Sequence, residues 1–258
     1  GKFQPIKSFQ DDLFRQSVKE SIKHSWYDGD WTRHPYEEET KPSYTEFKDN
    51  AKYSWVKSPS FKGAPAQVGP LANVLGMYAA GHPDAKKYAN LAIEKVNAIG
   101  KLNAGLGALH STLGRHASRA IRCAVLYGVL KRNYDLLIKN IQSGDLDTFN
   151  APEFPKGEQR GFGFHEAPRG TLSHWVVIDS GKIKNYQAVV PSTWNAGPRN
   201  QDDVPGPYEA SLVGNPIAVD KRPLEVLRTV HSFDPCLSCA VHIMQPDEQP
   251  QIVYTGMK

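Results

Sequence analysis

Two thiols and an imidazole stand close together in Asp234-Pro235-Cys236-Leu237-Ser238-Cys239-Ala240-Val241-His242. Spacing by threes lets Cys236, Cys239 and His242 converge on one metal ion or on two adjacent ones. Thiolate is a soft ligand and selects zinc, copper, iron–sulfur or nickel sites over magnesium. A zinc ribbon needs a second cysteine pair, and the chain has 3 cysteines, the remaining one being Cys123. A thioredoxin-like motif needs a strand–helix context that is absent, and haem attachment needs His at position 240, where Ala stands. The spacing therefore describes part of a metal site with an incomplete ligand set. Cys123, among Ile121, Ala124 and Val125, reads as a small buried hydrophobe.

Three further segments carry groups able to serve such a site. In Glu166-Ala167-Pro168-Arg169-Gly170-Thr171-Leu172 an arginine is pinned between Pro and Gly, so its direction is set. Its guanidinium could face a metal-bound anion or small ligand; it could equally pair with a nearby carboxylate, and Glu166 has the same two readings. Val189-Val190-Pro191-Ser192-Thr193-Trp194-Asn195 follows a strand-like run, where loops often carry function, although a lone Ser or Thr there is usually a turn cap. No Ser–His–Asp arrangement is persuasive, since nothing places His165 or His174 beside Ser192. Last, Arg115, Arg119 and Arg122 share one helix face, either a solvated or partner-facing row or a working one.

These groups need elements to position them. Residues 1–65 are rich in aromatics, charges and turn formers, which predicts irregular structure with short helices, the best over 11–24, held by aromatic packing. Residues 70–80 predict a helix stopped at Gly81, and Pro83 opens another, proline being well placed in a first turn. Its Ala85, Tyr88, Ala89, Ala92, Val96 and Ile99 keep helical spacing. A third helix is expected over 108–130 and a fourth over 134–142, ending before Gly144. Residues 145–165 read as loop. The period then changes: 172–178 and 183–190 read as strands joined by a hairpin turn over 179–182. Residues 191–215 again read as loop, and a last helix from 223 delivers the cysteine pair. This order gives an α+β fold, mainly helical, with a small antiparallel sheet near residues 172–190.

Composition fits a folded protein: 40% hydrophobic and 22% charged residues with a net charge of +4. Lys and Arg are dispersed, so nothing argues for nucleic acid. No apolar run approaches the ~20 residues of a membrane helix; the longest, around 120–130, is broken by Arg122. The first residues show no signal-peptide pattern and no initiator Met, and the expectation is a segment of a longer protein.

Taken together, the segments resemble the large subunit of nickel–iron hydrogenases. Tyr53-Ser54-Trp55-Val56-Lys57, Val68-Gly69-Pro70-Leu71-Ala72, Gly114-Arg115, 166–175, 189–195, Gly206-Pro207-Tyr208-Glu209 and 234–242 occur in that family's order. The His231-Ser232-Phe233 lead-in is similar to the membrane-associated uptake enzymes. The resemblance implies the C-terminal half of the large-subunit fold: one domain over 1–242 and a maturation tail over 243–258, cut between His242 and Ile243. It implies the reaction H2 ⇌ 2H⁺ + 2e⁻, by heterolytic cleavage at a nickel–iron pair whose iron carries carbon monoxide and cyanide.

Residue by residue, the resemblance makes Cys236 a terminal nickel thiolate and first proton acceptor, and Cys239 the bridge between nickel and iron. His242 and the backbone carbonyl of Ala188 would hold a magnesium or similar ion. Arg169 would polarise H2 or receive its proton, with Asp234 orienting it. Pro168, Arg169, Pro191 and Ser192 would face the cyanides. Implied partners are the N-terminal half of the large subunit, a small subunit carrying iron–sulfur clusters, a maturation protease and nickel chaperones. The implied location is the periplasmic side of the membrane, reached by export with the small subunit, and the cytoplasm while immature.

Two departures bear on these implications. The family binds nickel with four cysteines, and its second C-x-x-C pair, with an acidic magnesium ligand and a glutamate relay, does not occur here. The polar residues after His242 would be the uncleaved tail of a precursor. Alternatives are an inactive or immature pseudo-subunit that binds no nickel, a related quinone oxidoreductase subunit without the metal, and a plain zinc module.

Overall fold

The computed structural model describes residues 3–6, 8, 11–48, 50–151, 156–219 and 222–236, together with the backbone of 240–243 and 251–254. Helix α1 (Asp12–Ser17) is capped by Asp11, whose side chain accepts from the Leu13 amide. The expected helix over 11–24 ends there. Val18 and Ile22 are fully buried, and strand β1 (Val18–Ser21) pairs with β2 (Thr32–Arg33) and β3 (Ser58–Phe61) in an antiparallel sheet. Burial on a sheet here outweighs local helix preference. The surrounding irregular chain is packed by aromatics as expected, with Trp26 edge-on to Trp55 and Tyr44 at 5.1 and 5.0 Å.

Helices α2 (Pro70–Ala79) and α3 (Pro83–Gly100) both open on proline. The third and fourth expected helices are one: α4 runs over Thr112–Gln142, and Gly144 lies just beyond with φ +82. The Lys131-Arg132-Asn133 segment read as a break contains neither proline nor glycine and does not interrupt it. Ser111 caps α4 by accepting from the Gly114 amide at 3.0 Å. A Cβ on Gly114 would lie 2.3 Å from the Leu109 carbonyl oxygen, so only glycine lets α4 approach the preceding 3-10 turn Leu106–His110.

The second sheet is larger than expected. Strand β4 (Glu158–Ala167) pairs along its length with β5 (Gly170–Asp179), which pairs with β6 (Lys182–Val189). The region 145–165, read as loop, thus supplies most of a ten-residue strand from Glu158 onward. Its glycines hid the pattern, yet Phe162 sits opposite Trp175 with ring centroids 4.3 Å apart. Residues 191–215, also read as loop, contain α5 (Pro191–Ala196) and α6 (Pro207–Leu212), each opening on proline. Helix α7 (Leu224–Ser232) follows as expected. Strands β7 (Ala240–Ile243) and β8 (Gln251–Tyr254) pair antiparallel, His242 opposite Ile252.

Two cores result. Phe14, Val18, Trp175, Val189 and Trp194 join the two larger sheets, while Leu71, Val74, Ala89, Leu109 and Ile121 join α2, α3 and α4. The site lies where these units meet.

Candidate metal centre

Pro168 and Arg169 form the two-residue turn between β4 and β5. Gly170 has φ +135, and a Cβ there would lie 2.6 Å from the Gly69 nitrogen; Gly69 has φ +118 and abuts the Arg169 carbonyl. Only residues without a side chain permit this backbone-on-backbone contact, which seats the turn on the N-terminus of α2. Glu166 is occupied locally, accepting from Asn73 Nδ2 at 3.0 Å and from the Thr171 hydroxyl. Of its two readings, structural pairing is the one found.

The other wall comes from the end of α7. Asp234 adopts a left-handed conformation, φ 57, with its amide donating to the His231 carbonyl at 2.9 Å. Asp tolerates this conformation better than most residues, and Pro235 cannot extend the helix, so the chain turns back toward the sheet. Arg169 Nε donates to the Asp234 carbonyl at 2.9 Å, and its Nη2 lies 3.3 Å from Asp234 Oδ1. The Cys236 amide donates to Ser192 Oγ at 3.0 Å. An accepting hydroxyl still has a proton to give. Ser192, on α5, is 6% exposed. Asn195 of the same helix holds Val68 through both its amide atoms at 3.0 Å, tying α5 to the segment that meets Gly170.

Pro168, Arg169, Leu172, Pro191, Ser192 and Cys236 thus surround one mostly apolar cavity of about 290 Å³. Val56 and Thr193 separate it from a wider cavity of about 810 Å³, which Ala188 lines. Beside that second space Lys57, nearly buried, pairs with Glu20 at 2.8 Å and with Glu38, both carboxylates fully buried. Burial pushes the Glu38 carboxyl up to about 9, Glu20 adding and Lys57 opposing. Burial alone would lower Lys57, but the two carboxylates outweigh it and raise it.

Of the residues singled out in the sequence, Arg169, Asp234, Cys236, Pro168, Pro191 and Ser192 come together, and Ala188 sits on the adjoining cavity. Cys239 lies outside the described residues, and of His242 only the backbone, in β7, is described. Among the described residues no group of three His, Cys, Asp or Glu side chains could hold a metal ion. What is present suits part of a soft-metal centre: a thiol at an apolar cavity, faced by a cation and a hydroxyl.

Two readings change. Cys123 is exposed, not buried, because α4 buries Ile121 and Val125 on its other side. Arg115 and Arg122 are not a solvated row; they are 8% and 6% exposed. The Lys57–Glu20–Glu38 cluster went unseen because its members come from separate segments, with only the lone Lys57 in a recognised motif.

A family model described as nickel-dependent hydrogenase matches residues 1–242. The chain belongs to the nickel-dependent hydrogenase family. It is 49% identical over 246 residues to the Hydrogenase-2 large chain of Escherichia coli K12, covering 95% of this chain and 43% of that protein. It is 40% identical to the uptake hydrogenase large subunit of Bradyrhizobium diazoefficiens, covering 90% and 41%, and 38% identical to the quinone-reactive Ni/Fe-hydrogenase large chain of Wolinella succinogenes, covering 95% and 44%. The chain thus spans less than half the length of these relatives. A reduced, active form of the Ni-Fe-Se hydrogenase of Desulfomicrobium baculatum superposes with a TM-score of 0.71 at 34% identity, covering 86% of this chain and 44% of that one. The mixed architecture is therefore part of a hydrogenase large-subunit fold. Among the described residues no helix is long and apolar enough to cross a membrane.

Proposed function

We propose that this chain is the C-terminal, metal-holding part of a hydrogenase large subunit that catalyses H2 ⇌ 2H⁺ + 2e⁻. The observation that carries the reading is the convergence of Arg169 and Cys236 on one small apolar cavity, with Asp234 bracing the guanidinium. Cys236 and Cys239 would hold a nickel–iron pair jointly with two thiolates from the preceding part of the subunit. That pair, when bound, supplies the heterolytic cleavage of H2. Cys236 Sγ would take the first proton, and Arg169 would set a fixed positive charge beside the cavity where negative charge develops. The Ser192 hydroxyl and the backbone around Pro168, Arg169 and Pro191 would hydrogen-bond the iron's cyanides. His242 and the Ala188 carbonyl would hold a magnesium or similar ion.

The N-terminal half of the subunit is the first partner. Supporting this, Tyr127, Leu130, Tyr134, Leu137 and Ile141 of α4 are all exposed and recur at alternating steps of three and four, the spacing of a helix–helix seam. The second is an iron–sulfur small subunit that takes the electrons, exported with this one to the periplasmic side of the membrane. Nickel chaperones and a protease acting between His242 and Ile243 complete maturation. That bond lies within strand β7, which pairs with β8.

The complete large subunit, purified with its small subunit, should reduce a viologen dye with H2. Arg169→Lys should lower the rate about 10²–10³-fold while nickel content stays at the wild-type level. An undiminished rate would remove Arg169 from the mechanism.

A further inference from the structure

The turn carrying Arg169 and the loop carrying Asp234 and Cys236 are held by one element, α4. Arg122 spends its fork on three successive carbonyls: Nη1 donates to Ala167 O at 2.8 Å and Pro168 O at 3.2 Å, and Nη2 to Glu166 O at 2.9 Å. One turn earlier, Arg119 Nη2 donates to the Ser232 carbonyl at 3.0 Å. Arg115, another turn back, stacks over the Phe233 ring at 4.1 Å and reaches Ser232 Oγ at 3.5 Å. Burial lowers the proton affinity of both Arg115 and Arg122. Burying two cations, with only the Glu166 carboxylate near Arg122 to offset the charge, is costly unless the geometry uses them. A surface row of arginines would need neither the burial nor the carbonyl partners.

We propose that Arg122, Arg119 and Arg115 are positioning residues that make α4 a common ruler for the site. Arg122 fixes the 166–169 turn from behind; the other two fix the 232–234 loop. The separation of the Arg169 guanidinium from Cys236 is then set by the spacing of arginines on a rigid helix. The turn and the loop would not hold it through the Arg169–Asp234 contact alone, whose two side chains are 37% and 39% exposed. A lysine at 122 keeps the charge but has no planar fork to hold three carbonyls at once. This inference rests on the hydrogenase reading for its catalytic consequence, and on contacts within this chain for its structural one.

The test uses the complete large subunit assembled with its small subunit. Arg122→Lys should speed amide hydrogen exchange over residues 166–172 by about tenfold or more. It should also lower kcat for H2 oxidation about tenfold or more, since small misplacements of reacting groups are costly in rate, with KM for H2 little changed. The infrared bands of the iron's cyanide and carbonyl ligands should shift, because the backbone facing them moves. Arg132→Lys, on the exposed part of α4, should change none of these. Faster exchange with wild-type kcat and unshifted bands would make the contact structural only and overturn the positioning role, leaving the hydrogenase reading intact. If the wild-type complex has no activity, that reading fails, and unchanged exchange in Arg122→Lys would separately overturn the tie. Should Arg122→Lys not assemble, Arg119→Lys with exchange read over 232–236 takes its place, with the same opposing outcomes.

Discussion

The two ends of α4 obey different rules. Over 112–125 the helix buries Gly114, Arg115, Ser118, Ile121, Arg122 and Val125. Beyond Val125 almost every residue is exposed, including Leu126, Tyr127, Leu130, Tyr134, Leu137 and Ile141. Polar residues are thus buried in the first part and apolar ones exposed in the second, the reverse of the usual distribution. The first part works on this chain's own site, holding backbone carbonyls with arginine. The second carries an exposed apolar stripe, the proposed seam, in a chain that spans less than half of its relatives' length. On the proposed reading, one unbroken helix is a scaffold at one end and an interface at the other.

The contrast can be broken at several strengths, each measured by urea unfolding or soluble yield of the complete large subunit. Gly114→Ala forces a methyl into the Leu109 backbone, which cannot move as a side chain would; a loss of about 3 kcal/mol or more, or no soluble protein, is expected. Leu137→Asp probes the other end. If the preceding part of the subunit covers the stripe, the buried charge should cost about 2 kcal/mol or more. A cost within about 0.5 kcal/mol would leave the stripe on the surface and contradict the proposed partner. Ser111→Ala removes the cap that accepts from Gly114 and should cost about 1 kcal/mol.

Much of this was legible in the sequence, and the exceptions share a cause. Pro70, Pro83 and Gly81 mark helix ends by local backbone chemistry, and Ser180-Gly181 marks the β5–β6 turn, with φ 50 and 78. Such signals sit within a few residues of what they specify. Strand β4 was missed because its evidence lies across the sheet, in Phe162 against Trp175. The strand over 18–21 was missed because its longer pairing, with β3, comes from some forty residues away in sequence, and the nearer partner β2 is only two residues long. At the site, Arg169, Asp234, Cys236 and Ser192 were legible as chemistry in a recognisable order. The arginines of α4 were visible as a row, but their side chains could serve water or carbonyls equally well. Only the fold, bringing Ala167 and Ser232 to them, decides which.

On the proposed reading Cys236 is a nickel ligand in the assembled enzyme. Metal analysis of the complete large subunit, purified with its small subunit after maturation in nickel-replete cells, tests it most directly. The wild type should hold stoichiometric nickel and Cys236→Ala none above background. Nickel-free wild-type complex, or full nickel in Cys236→Ala, would contradict the account.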